Sequence, residues 1–173
     1  MIIGQKVALR ALETRDAPEF KLWINDPETN FWRGLYHPMS EADAVNWISR
    51  ESSPDPSRLT LAIEAIDGRF VGVIGLRGIC ARSRRAEIWI YLGDKGIWRK
   101  GFGTDAVAIL CDYAFKQLNL HRIWLECDPE HAAAIRCYEK NGFRAEGVLR
   151  DGYFRHGNFR DTTIMGRLST DRK

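Results

Sequence analysis

Cysteine, histidine and proline are scarce in this chain, with four, four and six among 173 residues. Cys80, Cys111, Cys127 and Cys137 form no C-x-x-C pair, and His37, His121, His131 and His156 do not stand beside them at ligand spacing, so no zinc site and no other metal is expected. With no secretory segment, four cysteines in a chain this long read as reduced thiols. No apolar run approaches the ~18 residues of a spanning helix, and the opening Met1-Ile2-Ile3-Gly4-Gln5-Lys6 turns polar before a signal core could form. The expectation is a soluble, cytoplasmic protein with no membrane partner. Charge of one sign is also lacking: 26 Lys and Arg against 23 Asp and Glu give +3, too little to predict a nucleic-acid partner. The one basic cluster, Arg82-Ser83-Arg84-Arg85, reads as a solvated hairpin tip. There is no internal repeat or low-complexity tract, and Ser52-Ser53-Pro54-Asp55-Pro56-Ser57 reads as a loop within a single domain, 1–173.

What is present is patterned apolar sequence. Val7 to Leu12 suggests a short strand. Asp16 then looks like an N-cap, with Pro18 in the first turn and Glu19 completing a D-x-x-E box before Phe20, Trp23 and Ile24. A second helix starts at Ser40, with Asp43 three residues on and Val45 and Ile48 on one face. Leu59 to Ala65 and Phe70 to Ile79 flank Asp67-Gly68, a strong hairpin signal. Ala86 to Leu92 follows as a third strand. Its alternation puts Glu87, Trp89 and Tyr91 on one face and Ile88, Ile90 and Leu92 on the other. Gly101 to Leu118 is helical, with Val107, Leu110, Cys111 and Ala114 at helical spacing. Arg122 to Cys127 is a strand. Asp128-Pro129 predicts the start of another helix, and Asn141-Gly142 its stop. Strands over 144–154 and 159–168, joined through His156-Gly157-Asn158, close an α+β chain.

Chemistry concentrates at Trp98-Arg99-Lys100-Gly101-Phe102-Gly103-Thr104-Asp105-Ala106. A loop with two glycines runs into a helix start, where free N–H groups and the helix dipole favour an anion, and Arg99 and Lys100 add positive charge. The physics points to a phosphate or pyrophosphate; an ordinary tight turn is the plain alternative. Gly101-x-Gly103-x-x-Ala106 matches a dinucleotide fingerprint, with Glu126 where a ribose-binding acid would sit. Eight residues separate it from the preceding strand, however, and only 70 follow Gly103, too few for a doubly wound sheet. A Walker A loop fails because Phe102 stands where its lysine must be.

W-R-K-G-F-G-T-D-A entering a helix, with D-P-E-H-A-A-A-I-R-C-Y-E-K-N-G-F downstream, resembles the GNAT superfamily of N-acetyltransferases. The branch it is most similar to holds ribosomal-protein N-terminal and bacterial spermidine acetyltransferases. The likeness runs from L-R-A-L-E-T-R-D-A to G-N-F-R-D-T-T-I-M, essentially the whole chain. The superfamily loop is Q/R-x-x-G-x-G/A; here Trp98 takes the first position, and His131 stands where an asparagine commonly contacts the pantetheine arm.

The resemblance implies a central mixed, mostly antiparallel sheet of six to seven strands with helices on both faces, and splayed strands at an acetyl-CoA site. Acetyl-CoA would be the co-substrate, its pyrophosphate on Trp98, Arg99, Lys100, Gly101, Phe102, Gly103 and Thr104. Its pantetheine arm would run along Ile90, Tyr91 and Leu92 and past His131 and Ala134. The Tyr138 hydroxyl would face the thioester sulfur as acid for the leaving thiolate; from spacing alone, Tyr138 reads as a core aromatic. Glu87 is the expected base, with cross-strand pairing to an arginine as the rival role. Trp32, Tyr36, Trp47 and Tyr153 are candidates to line the acceptor site, with Asp26, Glu28, Glu41 and Asp43 near. Acetyl-cysteine chemistry at Cys127 or Cys137 is disfavoured, because free cysteines usually pack as small apolar groups. The implied reaction is direct attack on acetyl-CoA by a primary amine: a protein N-terminus, a small amine or a polyamine. A homodimer is left open. The alternative is a non-catalytic acyl-CoA-binding or sensor module on the same fold.

Overall fold

The computed structural model describes residues 1–33 and 37–171. Eight strands form one sheet in the order β1-β2-β3-β4-β5-β6-β8-β7. They are β1 (Ile2–Ile3), β2 (Val7–Ala11), β3 (Arg58–Ala65), β4 (Phe70–Cys80), β5 (Arg85–Leu92), β6 (Arg122–Cys127), β7 (Arg144–Arg155) and β8 (Asn158–Leu168). One strand exceeds the sequence expectation: β1, two residues long and paired to Leu9 and Ala8, is too short to show periodicity. Pairing is antiparallel throughout except between β5 and β6.

Helices cover both faces. On one lies α3 (Phe102–Lys116), whose Val107, Leu110, Cys111 and Ala114 are fully buried against Ile74, Leu76, Ile88 and Ile123. On this face also lies α4 (Ala132–Lys140), which contributes Tyr138. On the other, α1 (Ala17–Asn25) and α2 (Glu41–Ser52) pack Phe20, Trp23 and Ile48 against Ala62, Val73 and Tyr91. Each large aliphatic side chain so buried contributes about 1.5–3 kcal/mol. The alternation in β5 holds: Ile88, Ile90 and Leu92 join the first cluster, Trp89 and Tyr91 the second.

Two caps differ from expectation. Asp16 precedes α1 but makes no side-chain cap bond. Its carboxylate instead takes Arg10 Nη2 at 2.8 Å and the Glu13 N–H at 2.9 Å, because a cation in reach outcompetes a helix N–H. Asp128 likewise does not start α4. That helix begins at Ala132 with His131 as N-cap, and the Asp128 carboxylate turns to Tyr153 and Arg155. Ser40 does cap α2, accepting from the Asp43 N–H at 3.1 Å. The basic tip docks more than a solvated loop would: Arg84 Nε donates to the Asn119 carbonyl at 2.7 Å, and the Arg122 N–H donates to the Arg84 carbonyl at 3.0 Å. Among the described residues, no helix is long and apolar enough to cross a membrane.

Candidate active site

Three rungs join β5 to β6: Arg85 to Arg122, Ala86 to Ile123 and Glu87 to Trp124. Both strands then continue, β5 to Leu92 and β6 to Cys127, without pairing to each other. The split leaves main-chain groups of Ile88–Leu92 without a strand partner on that edge, a place where an extended amide-bearing chain can pair.

The glycine loop sits at the free end of β5. Gly101 is the N-cap of α3 at φ 87°, a left-handed conformation that a side chain resists. The first main-chain bond of the helix runs from the Asp105 N–H to the Gly101 carbonyl at 3.0 Å. The N–H groups of Phe102, Gly103 and Thr104 therefore leave the helix end without an intrahelical partner. A Cβ on Gly103 would stand 3.0 Å from Leu92 Cδ1, so glycine lets α3 press against β5. Donor chemistry and cradle both fit a diphosphate, with Arg99 and Lys100 exposed beside it.

Three contacts fix this loop, and sequence reasoning assigned none of them. The Trp98 indole N–H donates to the Leu92 carbonyl at 3.0 Å, tying the loop to β5. Asn141 Nδ2 donates to the Thr104 carbonyl at 3.1 Å and the Cys137 carbonyl at 2.9 Å, latching α4 to α3. Asp105 accepts from the main-chain N–H of Lys6 at 2.7 Å and of Val7 at 3.1 Å. That places Lys6 Nζ 2.7 Å from the Lys100 carbonyl, a third cation at the loop. The long sequence separation of Lys6 and Lys100 leaves no local signal for it.

Tyr138 is buried, its ring edge-on to Phe143 at 5.9 Å. Burial, with Cys127 and Cys137 close by, drives its hydroxyl well above the ordinary tyrosine value, so the group stays protonated as a donor. Burial also pushes the Cys127 thiol up to about 12 and raises Cys137, which opposes thiolate chemistry at either. Ala134 is half-buried against the same core. His131 caps α4, its Nδ1 accepting from the Ala134 N–H at 3.4 Å, and burial lowers its pKa.

On the opposite face of the split, Thr29 to Arg33 form a bridge. Asn30 Nδ2 donates to the Trp23 carbonyl at 2.9 Å and the Asp26 carbonyl at 3.2 Å, closing the end of α1 and aiming the residues after it. On the β5 side, the Tyr91 hydroxyl donates to Thr29 Oγ1 at 3.1 Å, and the Arg33 guanidinium lies 4.9 Å over the Tyr91 ring. At the other end Trp32 stacks on His131 at 4.3 Å. Arg155, 2% exposed, lies 4.7 Å from the Trp32 ring, 4.9 Å from Phe31 and 5.8 Å from Tyr153. The Tyr153 hydroxyl donates to Asp128. Trp32 and Tyr153 thus meet at one cluster, whereas Trp47 stacks on Phe20 at 4.4 Å over the α1–α2 core. Tyr36 lies outside the described residues.

Glu87 is the last paired residue before the split, and its carboxylate is hydrogen-bonded by Arg77, its cross-strand partner. Glu126 was passed over with the dinucleotide reading. It stands on β6 past the last rung, exposed, on the face opposite the buried Ile123, Leu125 and Cys127. Its carboxylate makes no hydrogen bond among the described residues and is near enough to Arg77 to act on its charge. The alternation of β6 against the split would have marked it. No group of three His, Cys, Asp or Glu among the described residues is arranged to hold a metal.

A family model described as an acetyltransferase (GNAT) domain matches residues 6–144. An uncharacterized N-acetyltransferase p20 of Bacillus licheniformis is 30% identical over 173 residues, covering 96% of this chain and 95% of that protein. Spermidine N(1)-acetyltransferase of Escherichia coli (strain K12) is 35% identical over 111 residues, 64% of this chain and 59% of that one. Among solved structures, spermidine N-acetyltransferase from Vibrio cholerae in complex with CoA and spermine superposes with a TM-score of 0.86 at 26% identity, covering 96% of this chain and 97% of that one.

Proposed function

Because the chain belongs to the GNAT acetyltransferases and so is an acetyl-CoA-dependent N-acetyltransferase acting on an amine, we propose that the β5–β6 split is its active site. The single observation that carries this assignment is the parting of those strands after three rungs, with a buried, protonated Tyr138 on one face and an open carboxylate, Glu126, on the other. Acetyl-CoA supplies the activated acyl group as a thioester. The N–H groups of Phe102, Gly103 and Thr104, aided by Arg99, Lys100 and Lys6, hold its diphosphate. Ile90, Tyr91 and Leu92 offer main-chain partners to the pantetheine arm, and Ala134 packs beside it. Trp98 and His131 act by positioning: one fixes the loop and the other caps α4.

An ammonium has no lone pair, so the acceptor must lose a proton before it attacks. Glu126 is better placed than Glu87 to take it, directly or through a water, since Arg77 occupies the Glu87 carboxylate. Tyr138 then donates to the departing thiolate. Trp32 and Tyr153 border the acceptor; Trp47 supports the core beneath. A second copy of the chain has a surface to meet in β7, an edge strand whose Val148 and Leu149 are exposed. The single-domain reading of 1–173 is supported by one sheet running from β1 to β7. A cytoplasmic setting suits four free cysteines and the supply of acetyl-CoA.

The test is thiol release from acetyl-CoA over a panel of amines, with wild type and Tyr138→Phe compared. We expect kcat to fall about 100-fold in the variant while the KM for acetyl-CoA stays within twofold, as loss of a general acid requires. Unchanged kcat under rate-limiting chemistry removes Tyr138 from the reaction. CoA binding without turnover on any amine would favour the sensor alternative.

A further inference from the structure

The acceptor side offers less room for positive charge than the relatives' acceptors would suggest. Resting on the acetyl-transfer reading above, we infer that the acceptor carries one ammonium on a neutral or anionic body, and that polyamines are disfavoured by the basic side chains beside the split. Two kinds of group hold an ammonium, carboxylates and aromatic faces, and beside the split most of both already face a cation.

Most of the carboxylates near the acceptor are engaged; Glu41, exposed at the start of α2, has no ion pair among the described residues. Asp26 and Glu28 both turn to Lys95 Nζ, at 2.7 Å and 2.9 Å. Asp43 accepts from Ser40 at the start of α2 and keeps its charge there. Glu87 is held by Arg77. Asp128 faces Arg155 Nη1 at 2.7 Å, and Glu130 faces Arg155 Nη2 at 3.4 Å and Arg160 Nη1 at 3.2 Å. The aromatic faces are filled the same way. Arg155 lies over Trp32 and Phe31, His131 covers Trp32, and Arg33 lies over Tyr91.

Arg155 cannot yield its place easily. Its guanidinium is buried among three rings and ion-paired, and displacing it would strand Asp128, itself almost fully enclosed. Among the described residues at the split itself, Glu126 is the carboxylate with no hydrogen-bonded cation, though near Arg77, and it suffices for one ammonium. A second and third ammonium, a few methylenes away, would meet Arg33, Arg155 or Arg160 instead. A peptide N-terminus or an amino acid fits, because the atoms beside its amine are neutral or acidic and are hydrogen-bond acceptors for guanidinium groups.

The deciding measurement is calorimetric titration of spermidine, and separately of a neutral tetrapeptide with a free α-amine, into the protein saturated with CoA. Thiol-release kinetics are run on both acceptors. Spermidine is expected to show no saturable heat up to about millimolar concentration, and a kcat/KM at least about 100-fold below that of the peptide, the scale of opposed like charges. Saturable spermidine binding to the CoA complex, or a spermidine kcat/KM within tenfold of the peptide's, overturns the inference while leaving acetyl transfer intact. If CoA itself does not bind, the catalytic assignment falls and this one with it. Arg160→Gln supplies a second arm that keeps the buried Arg155 in place. Releasing Glu130 from one of its two cations should improve spermidine kcat/KM about fivefold and lower the peptide's, which loses a guanidinium partner. An equal change for both acceptors would assign Arg160 a merely structural role and count against the inference.

Discussion

The proposed donor and acceptor sides of the split are built in opposite ways. The donor side is nearly one stretch of chain: a loop, a left-handed glycine and a helix start within Trp98–Thr104, buttressed by Leu92, Asn141 and Lys6. Its chemistry lies in main-chain N–H groups, so side chains there need only stay small or basic. The acceptor side is assembled from four separated segments: the turn after α1, the end of β5, the β6–α4 connection and the β7–β8 hairpin. Its chemistry lies in side chains that neutralise one another across the fold. A backbone site is written locally, whereas a side-chain site exists only after distant strands have been placed.

The comparison is broken most severely by exchanging the two carboxylates. Glu126→Gln should lower kcat about 100-fold near neutral pH, with part of the activity returning as the pH rises and more of the amine deprotonates in solution. Glu87→Gln should cost less than tenfold and chiefly loosen the Arg77 rung. A pH–rate series for both variants decides it, and a larger loss at Glu87 would return the base to the paired strand.

On the donor side the effect is smaller and falls on affinity. Lys6→Met should weaken CoA binding about fivefold at low salt, leave kcat untouched, and narrow its difference from wild type as ionic strength rises. Equilibrium dialysis at two salt concentrations is the check. An unchanged affinity would confine Lys6 to bracing the Lys100 carbonyl.

The smallest effect tests the hinge between the two sides. Burial holds the His131 imidazole below its ordinary 6.5, so the folded state prefers the neutral ring whose Nδ1 caps α4. That stability is complete above pH 6.5 and is lost as the pH falls through the lowered folded value. His131→Asn keeps a cap acceptor and does not titrate. Its Tm should lie within ~2–4 °C of wild type at pH 7.5 and decline less on acidification. Parallel melting curves across the acid range would show that the cap is not what titrates.

Legibility followed the same division. The D-G hairpin at Asp67-Gly68, the alternation of β5 and the burial of α3 were readable because each is fixed within a few residues by period and turn chemistry. Asp16 and Asp128 misled for one reason. An aspartate before a helix reads as a cap, but an arginine brought in by another strand, Arg10 or Arg155, takes the carboxylate instead. The proposed role of Tyr138 rests on a motif, while that of Glu126 depends on where β5 and β6 stop pairing, which no local pattern gives.

Residue order alone determined most of the elements, their exposed and buried faces and the glycine loop with its free N–H groups, since helix period, strand period and glycine torsions act over short distances. Only the folded arrangement decided which charges are spoken for. Ion pairs form between side chains that the sheet brings within a few ångströms, and Arg155, 27 positions from Asp128 in the chain, could be matched to it by no local rule.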